Sequence, residues 1–402
     1  MAKGADMRVL ISAYACEPNK GSEPEVGLRA VLAAANRHQV WVITRENNLP
    51  ALNRFLAAHP LGSKIEVIGL DLAQPTLRFK RLGGFAGVNL YYELWQRKLR
   101  ELAIGLDLEH DFDLVHHVTF ARYWSSAGVS AVAKPFVWGP LGGGSRPPLM
   151  LLPTMGVRGC AEDLARVMAR PLIARLSGVG STARRASMII AQNPETRRAM
   201  RHQEKTVVLP NALLVADSVE HSKLGASPPS FVSVGRLIPL KGHALAIAAM
   251  THLDGRTLDI YGDGPDRDRL EGLARRHGVA DRIHFRGHTS REEVLSAVGN
   301  ADALVHAALH DEAPLAIVEA LASGTPVVCL DRGGPPVIVG HWPRVPSRAV
   351  RAASPTVTAG RIAVALEEVA GKRTAPDPTP ADWVSGELLD IYDRVAGSTG
   401  DR

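Results

Sequence analysis

The sequence predicts an α/β protein built as two domains, and three features carry that expectation. Short apolar runs such as Arg8–Tyr14, Val40–Thr44 and Phe231–Val234 alternate with helical patterns, the rhythm of doubly wound parallel sheets. With 402 residues and 46% hydrophobic content, the chain exceeds a single typical core. The polar stretch Asp217–Pro229, with Ser, Gly and a Pro pair, has linker composition. The expected parts are a first domain over 1–212, a linker over 213–229, a second domain over 230–376 and a terminal helix within 377–402.

Composition narrows the function. A formal charge of +6 and a pI near 9.3 suit anionic ligands or an anionic membrane surface. No recognisable nucleic-acid module is present, so no nucleic-acid partner is expected. Cys16, Cys160 and Cys329 lie far apart without metal-ligand spacing, which points away from a disulfide framework or a zinc site and toward a reduced cytoplasm. The start Met1–Arg8 has no apolar core, and no run approaches about 18 uncharged apolar residues, so neither export nor membrane spanning is expected.

In the first half, the strand Arg8–Tyr14 leads to the polar loop Cys16–Glu25 and a helix from about Val26 to Asn36. Doubly wound sheets bind ligands at the carboxyl ends of their strands, which makes Gly21, Ser22 and Glu23 candidates. The stretch Asp113–Phe120 ends on the same edge with His116 and His117. Neighbours on a strand point to opposite faces, so one imidazole can face a ligand while the other is packed or solvated. The strand Pro135–Trp138 runs into Gly139–Gly144, where Gly142 and Gly143 would let backbone approach a ligand. Residues from about Pro147 to Ser187 read as helical and rich in Arg, and Met188–Ala191 and Val207–Leu209 close this half.

Between Arg78 and Leu106, the residues Val88, Tyr91, Trp95, Leu99, Leu102 and Leu106 recur at intervals of three or four. Arg97, Lys98 and Arg100 lie off that stripe. The pattern fits a packing helix with a solvated face, or a helix that contacts the acceptor or an anionic membrane surface.

The second half opens with Phe231–Val234, Gly235 and a loop holding Arg236 and Lys241 before a helix near His243. Leu258–Tyr261 leads to Gly262-Asp-Gly-Pro265. A dinucleotide fingerprint would need a third glycine where Arg267 stands. Asp266-Arg-Asp268 is literally a D-x-D, yet its position at a helix start explains its acids by the helix dipole rather than by a metal. Ile283–Gly287, followed by His288, reads as a short strand.

The densest chemistry lies in Ala303–Asp331, read as strand, polar loop, helix and strand. Pro314 opens the helix, and Gly324 with Pro326 stops it. Asp311 precedes Glu319 by eight positions, about 12 Å along a helical axis, so the two acids cannot share a proton. They suit the two ends of one elongated ligand. The free N–H groups of Ala313, of Leu315 and of the turn that follows Pro314, which itself has none, favour an anion such as a diphosphate between them. Beyond Asp331–Pro335 the Pro-rich sequence reads as irregular, and Asp382–Tyr392 as a terminal amphipathic helix.

The stretch Asp311-Glu-Ala-Pro-Leu-Ala-Ile-Val-Glu319 resembles the acidic E-x7-E signature of retaining glycosyltransferases of family 4, with Asp311 in place of the first Glu. Gly235-Arg236 through Lys241, the turn Gly262–Pro265, the D-x-V-H register of His116 and Pro210-Asn211 also fit that family. Ala212 replaces a usual glycine, and a sugar-contacting histidine frequent near Gly139–Gly144 is missing. The resemblance implies the GT-B fold, two Rossmann-like domains facing a central cleft. It implies transfer of a sugar from a UDP- or GDP-linked donor to an acceptor hydroxyl with retention, without metal or resident cofactor. Arg236 and Lys241 would meet the diphosphate, Glu319 the ribose, and Asp311 or Glu312 the sugar. Gly21, Gly235, Gly262, Gly287 and His288 would line the donor, and the residues near His116 and Gly142 the sugar or acceptor. An epimerase or hydrolase of the same fold, or a donor-binding partner subunit, are the alternatives.

Overall fold

A computed structural model describes residues 6–18, 20, 22–73, 76, 84–211, 230–377 and 379–397. Gly21, Ala212, the expected linker and the start of the Arg78–Leu106 stretch therefore lie outside the described residues, and nothing is assigned to the Ser22 side chain. The chain forms two compact units. The first comprises Met1–Gly144, Met168–Val215 and Asp382–Arg402; the second comprises Ser145–Val167 and Ala216–Ala381.

The first unit is organised by a seven-stranded parallel sheet. Its strands are β1 (Arg8–Ser12), β2 (Gln39–Thr44), β3 (Ile65–Gly69), β4 (Leu114–His117), β5 (Phe136–Leu141), β6 (Met188–Ala191) and β7 (Thr206–Val208), in the order β3-β2-β1-β4-β5-β6-β7. The strands read as continuous apolar runs because helices cover both faces. Tyr91, Trp95 and Leu99 of the helix Gly84–His110 are fully buried, in a core with Tyr14, Phe112 and Trp138. That stripe is therefore a packing face. Arg97, Lys98 and Arg100 stay exposed, and the Lys98 ammonium donates to the Asp71 carbonyl at 2.8 Å.

The second unit repeats the plan with six parallel strands: β8 (Phe231–Val234), β9 (Leu258–Tyr261), β10 (Ile283–Gly287), β11 (Ala303–His306), β12 (Val327–Leu330) and β13 (Arg348–Val350), in the order β10-β9-β8-β11-β12-β13. In both sheets the order reverses beside the first strand, at β1/β4 and at β8/β11. That switch is where open α/β sheets present a crevice.

Two expectations change. The segment Ser145–Val167, expected in the first domain, groups with the second unit because Leu151 and Met155 are buried in the second core with Leu237 and Leu240. The region after Gly334, expected to be irregular, holds the helix Pro335–Gly340, β13 and the helix Pro355–Val369. Its prolines open helices at positions whose N–H would have no intrahelical acceptor.

At the β1/β4 switch the two histidines are sealed in, on opposite faces as their strand register requires. The His116 ring meets the Tyr392 hydroxyl at 2.6 Å and the Gly139 carbonyl at 2.7 Å. His117 meets Tyr92 at 3.0 Å and Ser12 at 3.1 Å. Burial lowers the pKa of His116 from 6.5 to about 4, against a smaller opposing effect of the Gly139 carbonyl. Burial, then the neighbouring His116, lowers His117 to about 3. Unfolding frees both rings to take up protons below pH 6.5, whereas the folded state stays neutral until these lower values. Stability should therefore fall as the pH drops through that window, by about 2 kcal/mol per ring between pH 7 and pH 5. Urea titrations of the wild type and of His116→Gln at the two pH values check this, the variant losing less on acidification.

Candidate functional site

The second unit gathers its charges at the β8/β11 switch. After β8 the chain passes Gly235, Arg236 and a short turn Pro239–Lys241, then enters the helix His243–Ala249 through Gly242 at φ 69°. A Cβ on Gly242 would lie 1.8 Å from the Ala307 carbonyl oxygen. Only glycine permits that approach. The amide of Leu309 donates to the Leu240 carbonyl at 2.9 Å, so the Lys241 loop is stitched to the chain leaving β11.

That stitching brings the Lys241 ammonium to 2.5 Å from Oδ2 of Asp311, while Nε2 of His306, the last residue of β11, lies 3.0 Å from the same oxygen. Burial alone would raise the Asp311 pKa, but Lys241 and His306 outweigh it and hold the carboxyl well below its ordinary range. Behind it, Gly334 N–H donates to the Asp311 carbonyl at 3.1 Å, and a Cβ on Gly334 would collide with the Glu312 carbonyl.

Glu312 faces elsewhere. Its carboxylate accepts from the Ser145 hydroxyl and, at 3.3 Å, from the Ser145 amide, and the Ser145 hydroxyl also meets His310 at 3.2 Å. The two adjacent acids thus have separate partners, and it is Asp311 that stands with Lys241.

The helix Leu315–Ala322 starts after Pro314, which sits at the cap with extended backbone. Glu319, expected to need a partner, has one in Arg291, 3.0 Å away at the start of the helix Arg291–Asn300. Burial nevertheless raises the Glu319 pKa, since Arg291 only partly offsets it.

Gly235 and Gly262, just past β8 and β9, and Gly287, the last residue of β10, form a backbone shelf. Gly235 N–H donates to the Tyr261 carbonyl at 3.0 Å and Gly262 N–H to the Gly287 carbonyl at 2.8 Å. Gly262 has φ 133°, and a Cβ there would lie 2.0 Å from the Gly235 carbonyl. Arg236 and His288 are exposed at this edge. Asp266 is nearly buried and clasps Arg269 through two bonds of 2.6 Å, so this acid of the D-x-D serves its own helix. Among the described residues no group of three or more His, Cys, Asp or Glu could hold a metal ion.

The first-unit candidates are placed differently. Glu23 lies in the first turn of the helix Ser22–Ala35, accepts from the Phe120 amide at 3.0 Å, and is raised in pKa by burial. Gly142, just past β5, is tied to the loop after β4, donating to the Ala121 carbonyl at 3.0 Å. Gly143, at φ 100°, makes room for Trp124, whose ring would lie 2.1 Å from a Cβ there. The expectation that one of His116 and His117 faces a ligand is corrected, since both rings are buried against side chains of their own unit, and beside Gly143 the Trp124 ring takes the room a side chain would need. Sequence reasoning did not assign His306, Arg291 or Ser145. His306 had a local signal, an imidazole ending a strand five residues before Asp311. Arg291 and Ser145 had none, because their partnerships span 28 and 167 residues.

Two parallel-sheet Rossmann-like units, with cations, a helix start and a carboxylate gathered at the second unit's switch point, define the GT-B class, and the chain resembles glycosyltransferases of family 4. Residues 217–367 match the family Glycosyl transferases group 1. Glycogen synthase of Mycobacterium tuberculosis is 39% identical over 111 residues, 27% of this chain and 27% of that protein. The 2-deoxystreptamine glucosyltransferase of Streptomyces kanamyceticus is 29% identical over 187 residues, 41% of this chain and 45% of that protein. The matched parts thus span about a quarter to a half of these curated relatives. The crystal structure of Anabaena HepE in complex with UDP aligns over 98% of this chain and all of that one, with TM-score 0.54 and 18% identity.

Asp311→Asn should leave the Lys241 ammonium without its counter-charge and cost the second unit about 1 to 3 kcal/mol at neutral pH. Because the folded-state pKa is depressed, this contribution is present at neutral pH and erodes only as the pH falls below the ordinary 3.8. Urea unfolding of wild type and variant at neutral and strongly acid pH measures both effects, which should converge in acid.

Proposed function

We propose that this protein is a retaining glycosyltransferase that moves a sugar from a UDP- or GDP-linked donor to an acceptor hydroxyl. The observation that carries the reading is the convergence of Lys241, Asp311 and the start of the helix Leu315–Ala322 at the β8/β11 switch. HepE of Anabaena, crystallised with UDP, supports a nucleotide-linked donor on this fold.

Cleavage of the bond between sugar and diphosphate leaves negative charge on the leaving group while positive charge grows at the anomeric carbon. Arg236, Lys241 and the free N–H groups of the first helical turn would stabilise the leaving charge as it develops. No divalent metal is needed to balance it. Asp311 holds the Lys241 ammonium in place, so a diphosphate would meet a cation already positioned. Asp311, steadied by His306, then has acceptor capacity for sugar hydroxyls, and Glu319, steadied by Arg291, for ribose hydroxyls. The Gly235, Gly262 and Gly287 shelf would seat the base against main chain. Retention follows from front-face attack, with a donor phosphate oxygen taking the acceptor's proton, so no protein side chain acts as nucleophile. The acceptor would be met by the first unit, at Ser22 and Glu23. A cytoplasmic site of action agrees with three free cysteines.

Incubation with UDP- and GDP-sugars, with and without hydroxyl acceptors, followed by product identification by mass, tests the reading. Transfer to an acceptor is expected; an altered or hydrolysed sugar nucleotide alone would assign an epimerase or hydrolase, and binding without turnover a partner subunit. Arg236→Ala and Lys241→Ala should each cost about 2 to 4 kcal/mol of transition-state stabilisation, seen in kcat rather than only in KM. EDTA should leave turnover unchanged, and restoration of an EDTA-inhibited enzyme by Mg²⁺ would refute the metal-free mechanism.

A further inference from the structure

One helix of this chain is amphipathic the wrong way round for a globular protein. In Gly156–Ser177, Val157, Leu164, Met168, Leu172 and Leu176 are between 61% and 90% exposed. Arg170 of the same helix is 6% exposed, and its guanidinium lies 4.8 Å over the Trp124 ring. An arginine is turned inward while leucines and a methionine at four-residue intervals face water, a contiguous row of the kind that marks an interaction surface.

The charge around the row indicates what covers it. The helix carries Arg158, Arg166, Arg170 and Arg175 against Glu162 and Asp163. Both acids are engaged by Arg158 and Arg166, at 2.9 and 3.7 Å. The surplus positive charge falls on exposed Arg175 at the helix end and on exposed Arg184 and Arg185 in the next helix, Val179–Arg185. The row is roughly 30 Å long and one helix wide, near 300 Å². That is less than half of the about 800 Å² per partner that a stable protein interface buries. A narrow apolar line flanked by arginines suits a helix lying in the plane of an anionic bilayer, its apolar side sunk among the acyl chains.

We propose that the helix Gly156–Ser177 docks this protein on anionic phospholipid membranes, with the Val157–Leu176 row inserted and Arg175, Arg184 and Arg185 on the headgroups. This contact lies apart from the stretch Arg78–Leu106, for which packing and membrane contact were the alternatives and whose Tyr91, Trp95 and Leu99 are taken up by the core of their own unit. Among the described residues no helix is long and apolar enough to cross a membrane, so the contact is peripheral.

Flotation of the full chain with vesicles of phosphatidylcholine alone, or mixed with phosphatidylglycerol, tests the proposal without depending on turnover, so it stands or falls separately from the proposed sugar transfer. Binding is expected to the mixed vesicles only, and to weaken with salt. The triple change Leu164→Gln, Met168→Gln, Leu172→Gln removes exposed groups and should keep the wild-type melting profile while reducing binding on the order of tenfold or more. Arg97→Gln, Lys98→Gln, Arg100→Gln on the other helix should bind like wild type. Absence of vesicle binding, or equal binding by the Leu164 triple variant, overturns the proposal. A concentration-dependent dimer that the Leu164 triple variant abolishes also overturns it and assigns the row to a second copy of the chain.

Discussion

The second unit's chemistry depends on one close approach, the backbone of Gly242 against the carbonyl of Ala307. It joins the loop after β8 to the loop after β11 without a side chain between them. The Lys241 ammonium and the Asp311 carboxylate come from opposite sides of that seam. Their contact, with His306 on the same oxygen, keeps Asp311 ionised despite burial. Such a pair contributes little net stability once desolvation is counted. Its value is positional: two groups that would otherwise be solvated and mobile are held where a strand order reverses.

The same topology is put to opposite uses in the two units. Each has a parallel sheet whose order reverses at its first strand, and each ends its fourth strand in histidine. At β4 the imidazoles are neutral and capped by Tyr392 and Tyr92, so that switch point is closed by its own side chains. At β11 the imidazole of His306 touches a carboxylate shared with lysine, leaving a polar edge beside a helix start. Fold alone does not determine which switch point can serve a ligand. The side chains ending the strands decide it, and they favour the second unit.

Amphipathic patterning illustrates a related ambiguity. A helical stripe says only that one face is apolar, and either core or membrane satisfies it. In Gly84–His110 the stripe meets Tyr14 and Phe112 of its own unit. In Gly156–Ser177 the four-residue row Leu164, Met168, Leu172 and Leu176 is exposed while Arg170 packs on Trp124. Both patterns were present in the chain. Only packing distinguishes a face with a protein partner from one without.

Local patterns were enough to determine the parallel strands, the helix that starts after Pro314, the acids eight residues apart and the cationic loop after β8, because each rests on spacing within a few residues. The glycines at 235, 262 and 287 belong to that class too, since each stands at the end of a strand legible from its own few residues. What required the folded chain were the partners: Arg291 for Glu319, Ser145 for Glu312, Tyr392 for His116 and Trp124 for Gly143. The return of Ser145–Val167 to the second unit likewise depended on which core had room for Leu151 and Met155. A side chain's own chemistry says that it needs a partner, whereas which partner it finds depends on how distant strands and helices meet, and no local spacing encodes that.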